Sequence, residues 1–163
     1  MRILHTSDWH LNDKLNRHER QPDLCARMAE IATILRDESV DAMLIAGDLF
    51  ADRVARLSEL RGALTDMLDA FRGFLDSGGT IVAISGNHDS EDLFELLRAV
   101  QNLTTRVAPA SGQAAAPGRL YLSAKPAVLT LEGRDGQRVQ VAMQPYPTPS
   151  FYLSGTGDPE VQS

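Results

Sequence analysis

The sequence predicts an α/β fold built on a mostly parallel sheet, and three observations carry that reading. Short apolar runs of strand length alternate with longer stretches of helical periodicity over the first hundred residues. The connections are long enough for crossovers, which favours parallel pairing. Three polar signatures, Asp8-Trp9-His10, Gly47-Asp48 and Gly86-Asn87-His88-Asp89, each stand where an apolar run ends. In an open α/β sheet the strand ends form the crevice where ligands bind.

Taken in order, residues 2–7 read as a first strand leading into the Asp8 loop. A helix is expected over 22–38: Pro22 suits a first turn, and Leu24, Met28, Ile31 and Leu35 recur at helical spacing. Residues 41–46 form a short apolar run, read as a strand buried on both faces. A long helix is expected over 56–77, with Leu57, Leu60, Leu64, Leu68, Phe71 and Leu75 on one stripe and Gly78-Gly79 as its stop. Thr80 to Ile84 is the next strand. Ser90 can cap a helix over 91–100, whose acidic first turn, Glu91 and Asp92, suits the helix dipole. The pattern then changes. Residues 109–118 are a small-residue loop, and 127–132 with 138–143 read as a hairpin around Gly133–Gly136. From Pro145 the chain holds three prolines within five residues and then drifts into Gly, Ser and Thr.

At 163 residues the chain can bury one real core, and an apolar share of 43% places it among ordinary globular proteins. Cys25 is the only cysteine, so an intrachain disulfide is excluded and a reducing, cytoplasmic setting is expected. The N-terminus lacks a signal peptide's apolar stretch, and no apolar run approaches the ~20 residues of a membrane span. The net charge of −6 argues mildly against a large nucleic-acid surface, although bound cations would change that locally. Arg53, Arg56 and Arg61 are the densest basic group. Composition does not decide whether the substrate is DNA.

The three signatures supply carboxylate, imidazole and amide oxygen, the donors hard divalent cations take. In an extended segment Asp8 and His10 would point the same way and grip one cation together, with Trp9 facing the opposite side. Asp48, after a glycine that permits close approach, could bridge two cations; Asn87 could add a neutral oxygen to the second. His88 would then be free to act on the substrate as an acid or hydrogen-bond donor. Two cations polarise a phosphoryl oxygen and lower the pKa of a bound water, which points to phosphate-ester hydrolysis. Plainer roles stand beside these. Asp8 and Asp48 could be caps and Gly86-Asn87 a turn. His5 reads as a hydrogen-bonded core histidine, His18 as solvated, Trp9 as packing anchor or substrate contact, and Cys25 as structural. The joint recurrence is what favours the metal reading.

Together, the opening Arg2–Leu11, Ala46-Gly-Asp-Leu-Phe50 and Gly86-Asn-His-Asp-Ser90 resemble the motifs of the calcineurin-like metallophosphoesterases. Within that family the Trp in Ser-Asp-Trp-His is most similar to the branch of double-strand-break repair nucleases. The resemblance implies a sandwich of two β-sheets flanked by helices, of which this chain would be the N-terminal part. It also implies Asp8, His10, Asp48 and Asn87 as ligands to two divalent cations, usually manganese, with His88 catalytic. It implies DNA as substrate, with exonuclease and endonuclease action, no membrane, and a homodimer within a heterotetramer carrying a coiled-coil ATPase partner. Two departures stand out. The family's later histidines, the last pair in Gly-His-x-His, are absent, since no histidine follows His88; the isolated polypeptide is therefore expected to be a poor catalyst. Three residues after Asp48, where the family commonly carries a partner for the catalytic histidine, stands Ala51, with Asp52 next to it as a possible substitute. Asn12 replaces a glycine usual after His-Leu. Met67, Phe74, Phe94 and Leu97 are candidates for a dimer contact or for ordinary core. The alternatives to a nuclease are a small-molecule phosphodiesterase of the cyclic-nucleotide kind and a non-catalytic remnant serving as scaffold.

Overall fold

The computed structural model describes residues 1–15, 18–51, 56–104 and 119–147. The chain opens with strand β1 (Ile3–Thr6) and the two-residue strands β2 (Lys14–Leu15) and β3 (His18–Glu19). Helix α1 (Gln21–Asp37) follows, with Pro22 in its first turn, then strand β4 (Ala42–Ala46) and helix α2 (Leu57–Asp76). Gly78, at φ +89°, ends that helix where a side chain would be strained. Strand β5 (Thr80–Ile84) and helix α3 (Glu91–Thr104) complete the alternation, with the Ser90 hydroxyl accepting the Leu93 N–H at 3.3 Å as a cap. Strands β6 (Leu120–Ser123), β7 (Ala127–Glu132) and β8 (Arg138–Met143) come last.

The main sheet has four strands in the order β1-β4-β5-β6, all parallel. Strand β6 is not among the strands expected from the sequence: its four residues are too few to show a periodicity, although Pro117-Gly118 stands just before it in the sequence. The expected hairpin is present as a separate antiparallel pair, β7-β8, closed through Gly136 at φ +76°. The two faces of the sheet have different covers. Met43, Ile45, Ile81, Ala83 and Leu122 face α1, α2 and α3, meeting Leu35, Phe71 and Phe94 in the larger core. The alternate residues Ala42 and Val82 pack against Leu131 and Met143 of the hairpin. An α/β architecture is thus present, a parallel sheet covered by helices on one face and by a second small sheet on the other.

Three expectations need correction. The buried stripe of α2 is Leu60, Ala63, Met67, Phe71 and Phe74, while Leu57 is 80% exposed and Leu68 39%. The helix carries two overlapping apolar ladders. The one containing small Ala63 turns inward, because it lets the helix approach the sheet closely. Met67, Phe74 and Phe94 therefore belong to the core, where burying each contributes ~1.5–3 kcal/mol. Strand β4 is not enclosed throughout, since its last residue, Ala46, is exposed. His5 is likewise exposed on the sheet rather than a core histidine. The expected 109–118 loop, the prolines after residue 147 and the His18 side chain lie outside the described residues. No helix among the described residues is long and apolar enough to cross a membrane.

Candidate metal centre

The pairing of β1 with β4 does not stop at the strand ends, and this brings the first two signatures together. The Asp8 N–H donates to the Gly47 carbonyl at 3.2 Å, His10 N–H to Asp48 at 2.9 Å, and Leu11 N–H to Leu49 at 2.9 Å. The path is not the extended one that the sequence suggests. Asp8, His10 and Asp48 have φ of +56°, +48° and +51°, left-handed conformations that cost non-glycine residues ~1–2 kcal/mol each. Two left-handed residues flanking Trp9 still send Asp8 and His10 to one side. Trp9 goes to the other, into the core, where its Nε1–H donates to Thr6 Oγ1 at 3.0 Å and its ring lies 5.6 Å from that of Phe71. That burial makes it a packing anchor.

Ligand atoms of Asp8, His10 and Asp48 all lie within 4.8 Å of one another. Asp48 is buried, His10 half-buried and Asp8 exposed. Among the described residues the Asp8 carboxylate accepts no hydrogen bond, so it is not a cap. Two carboxylates this close repel each other, and more strongly where one is out of water; a divalent cation with nitrogen and oxygen donors removes that cost. Two glycines let the loops close tightly around Asp48. A Cβ on Gly86 would overlap the Asp48 carboxylate and backbone nitrogen, and one on Gly47 would come within 3.0 Å of Gly86 Cα. The residues present fit a divalent cation.

The third signature closes on the second through two carboxylates. Asp48 Oδ1 accepts the His88 backbone N–H at 2.9 Å. Asp89, 1% exposed, accepts Phe50 N–H at 2.8 Å on one oxygen, and Leu49 N–H at 3.1 Å with Gly86 N–H at 2.8 Å on the other. Burial pushes its carboxyl above the ordinary carboxylate range, with Asp48's charge adding to the rise and the three amides pulling against it. The His88 ring is exposed and meets the His10 ring edge-on at 5.0 Å, beside the ligand cluster. Asn87 is exposed in the same turn, one peptide from the amide held by Asp48. Asp52 lies outside the described residues, while Ala51 is half-buried and donates its N–H to Leu11 at 3.1 Å.

The calcineurin-like phosphoesterase profile matches residues 1–141. The chain belongs to that family. It is similar to the SbcD component of nuclease SbcCD from Rhodobacter capsulatus, 39% identical over 102 residues, covering 61% of this chain and 24% of that protein. The protein of the same name from Bacillus subtilis is 40% identical over 93 residues, 56% of this chain and 23% of the relative. The DNA double-strand break repair protein Mre11 of Haloferax volcanii is 37% identical over 103 residues, 59% of this chain and 22% of the relative. The chain thus spans about a quarter of the length of these relatives.

For a calcineurin-like phosphoesterase, divalent-metal binding follows from membership, and among the described residues Asp8, His10 and Asp48 form a group that could provide it. Two supports of this centre escape sequence reasoning. Asp89 stands in the sequence only as the end of a motif; its burial beside three amide donors is invisible without the register of the loops. Asn12 stands there only as a replaced glycine. Its φ of +69° is one asparagine tolerates, and it is anchored twice: its N–H donates to Gln21 Oε1 at 3.0 Å and its Nδ2 to the Glu59 carbonyl at 2.7 Å. Gln21 in turn donates to Asp66 at 2.7 Å. The ligand loop is thereby tied to both α1 and α2.

Proposed function

We propose that this chain is the N-terminal part of a manganese-dependent DNA nuclease domain that hydrolyses phosphodiester bonds in break repair and recombination. The observation that carries the reading is the convergence of Asp8, His10 and Asp48 within 4.8 Å, with the His88 ring beside His10. Asp8, His10, Asp48 and Asn87 would hold two divalent cations. When bound, such cations supply Lewis-acid polarisation of the phosphoryl oxygen and lower the pKa of water. The chain's own residues do the rest. Asp48, with one oxygen fixed by the His88 amide, holds the two loops at a constant separation. His88, exposed and not needed as a ligand, donates a ring N–H to the leaving oxygen. Asp52 would assist His88 where Ala51 cannot.

The names of the relatives support the nuclease reading over a small-molecule phosphodiesterase, which the net charge of −6 alone would favour. By the same likeness the intact protein works on DNA as a homodimer, in a heterotetramer with an SbcC-type coiled-coil ATPase. Leu57 and Leu68 on α2, with Leu96 and Val100 on α3, are exposed and available for the dimer contact. These replace the buried Met67, Phe74 and Phe94 in that role. The test is manganese-dependent degradation of linear duplex DNA by the full-length gene product, lost in His88→Ala with the fold retained. Hydrolysis of cyclic nucleotides with no action on DNA would overturn the nuclease reading; full activity in His88→Ala would remove the acid.

A further inference from the structure

The candidate ligand His10 opens a turn whose shape is decided by residues outside the metal centre. The Asp13 N–H donates to the His10 carbonyl at 3.0 Å, and Asn12, at φ +69°, holds the third place, as in a type II turn. The central peptide of that turn joins Leu11 to Asn12 and is held at both ends. Its carbonyl, on Leu11, accepts the Ala51 N–H at 3.1 Å, and its N–H, on Asn12, donates to Gln21 Oε1 at 3.0 Å. A side-chain amide can turn over and present its NH2 instead, which would set two donors face to face. One neighbour prevents this. Asp66 Oδ2 accepts Gln21 Nε2 at 2.7 Å, and only the nitrogen end of an amide can face a carboxylate. We propose that Asp66 is a positioning residue for the cation ligand His10, acting through the orientation of Gln21 and the turn at Asn12. The inference rests on the metal centre of the proposed function and gives that centre a control point on α2.

The relay runs in one direction. Asp66 Oδ2 also accepts the Cys25 thiol at 3.7 Å, so that oxygen is committed as an acceptor on both sides. Gln21 then has its nitrogen taken and its oxygen turned toward Asn12. Asn12, Gln21 and Asp66 are all half-buried, where a backbone N–H without an acceptor is costly. A reversed Gln21 would leave the Asn12 N–H in that state, and rotation of the central peptide would relieve it. The rotation takes Asn12 out of the left-handed region and breaks the bond from Ala51 to the Leu11 carbonyl. That bond is one of those holding the His10 segment beside the Asp48 segment, together with Leu11 N–H to Leu49 and His10 N–H to Asp48, both at 2.9 Å. Ligand atoms that now lie within 4.8 Å of one another would lose their fixed spacing. A plain tie between α1 and α2 would need Gln21 and Asp66 only to meet. It would not need the amide to face one way.

Exchanging donor and acceptor between the two positions tests this. Asp66→Asn sets one amide against another, so either orientation of Gln21 is satisfied and the control is lost. Gln21→Glu sets a carboxylate against Asp66 and drives the two apart. Combined, the two changes restore a single arrangement: the carboxylate in place of Gln21 accepts both the Asn12 N–H and the amide in place of Asp66. All are near-isosteric changes at half-buried positions, so the fold is retained. Manganese affinity of the full-length gene product is measured by calorimetry, and hydrogen exchange of Leu11–Lys14 in its metal-free form. Each single variant binds manganese about fivefold more weakly and exchanges faster in that segment, while the double variant returns to within about twofold of the unaltered protein in both. A simple field effect has the opposite sign, since the charge added by Gln21→Glu would tighten cation binding. Asp69→Asn, which removes an exposed charge from the same helix, leaves the affinity unchanged. Losses that merely add in the double variant overturn the proposal, as do unchanged affinities in both single variants whatever their melting temperatures. Tighter binding by Gln21→Glu, or an equal loss in Asp69→Asn, overturns it in favour of long-range charge. An unaltered protein that binds no manganese sinks the metal centre first, and the positioning role with it.

Discussion

The Gly47–Phe50 loop has a neighbour on each side, and the two neighbours are attached by different means. On one side, Asp8–Leu11 is held by main-chain hydrogen bonds that extend the β1-β4 pairing. On the other, Gly86–Asp89 is held by carboxylates: Asp89 binds three amides, and Asp48 reaches back to one. The strand pairing in the first is made by main-chain atoms whatever the ligand side chains, with Trp9 and Asn12 adding side-chain ties to the core and to α2. The second depends on one buried residue that carries no proposed chemistry. Half of the site is therefore robust to substitution and half is brittle, although both halves contribute candidate ligands.

Asp89→Ala should break the brittle half outright. It leaves three amide groups without their acceptor, and a buried unsatisfied donor costs ~1–3 kcal/mol. A loss of ~3 kcal/mol or more is expected by denaturant melt, together with loss of metal binding. A change below ~1 kcal/mol would mean water replaces the carboxylate, and the contrast between the halves would disappear. Gly86→Ala comes next. Its methyl must displace Asp48, so calorimetric manganese binding should fall by at least about tenfold while the melt moves by only ~1–2 kcal/mol. On the robust side, Asp8→Asn should leave the metal-free protein as stable or stabilise it by ~0.5 kcal/mol, because it relieves repulsion with Asp48. Manganese binding should weaken in the same variant. A destabilised metal-free Asp8→Asn would reveal a structural role for that carboxylate.

This contrast also explains which features are legible in the sequence. Elements with a strong local signal can be read there: Pro22 and Ser90 mark helix starts, Gly78 a helix stop, and Gly133–Gly136 a hairpin. The convergence of Asp8, His10 and Asp48 is legible because each stands at a strand end, whatever path the backbone takes there. The path itself is not. Nothing local tells that Asp8 and His10 turn left-handed, since that conformation is imposed by the neighbouring loop. The face of α2 is misjudged because leucine content suggests one ladder while close packing, through Ala63, selects another. Asp89 escapes notice for the same reason as β6: its value comes from partners 39 and 40 residues away.

Smaller effects test the edges of the picture. Leu96→Glu, at a position 58% exposed, should change monomer stability by no more than ~0.5 kcal/mol while shifting sedimentation of the intact protein toward monomer. An unchanged assembly would move the dimer contact away from α3. In the Gln21–Asp66 network that anchors Asn12, the Cys25 thiol is pushed above its ordinary value of 9.0, first by burial and then by the charge and hydrogen bond of Asp66. A raised value keeps the thiol protonated and unreactive as pH approaches 9, so alkylation should be slower than for a free cysteine. Asp66→Asn removes the charge contribution but not the burial, and should speed alkylation a few-fold at mildly alkaline pH. No change would leave burial as the sole cause.

The double anchorage of Asn12 carries a consequence for how this protein ages. Its side-chain nitrogen donates to the Glu59 carbonyl. Spontaneous hydrolysis of that amide would put a carboxylate where the donor was, facing an acceptor and near the Glu59 side chain. An attraction between the ligand loop and α2 would become a repulsion, with no change in the ligands themselves. Stored material would lose cation affinity before it lost its fold, and a one-dalton mass increase at this position would mark the damaged molecules.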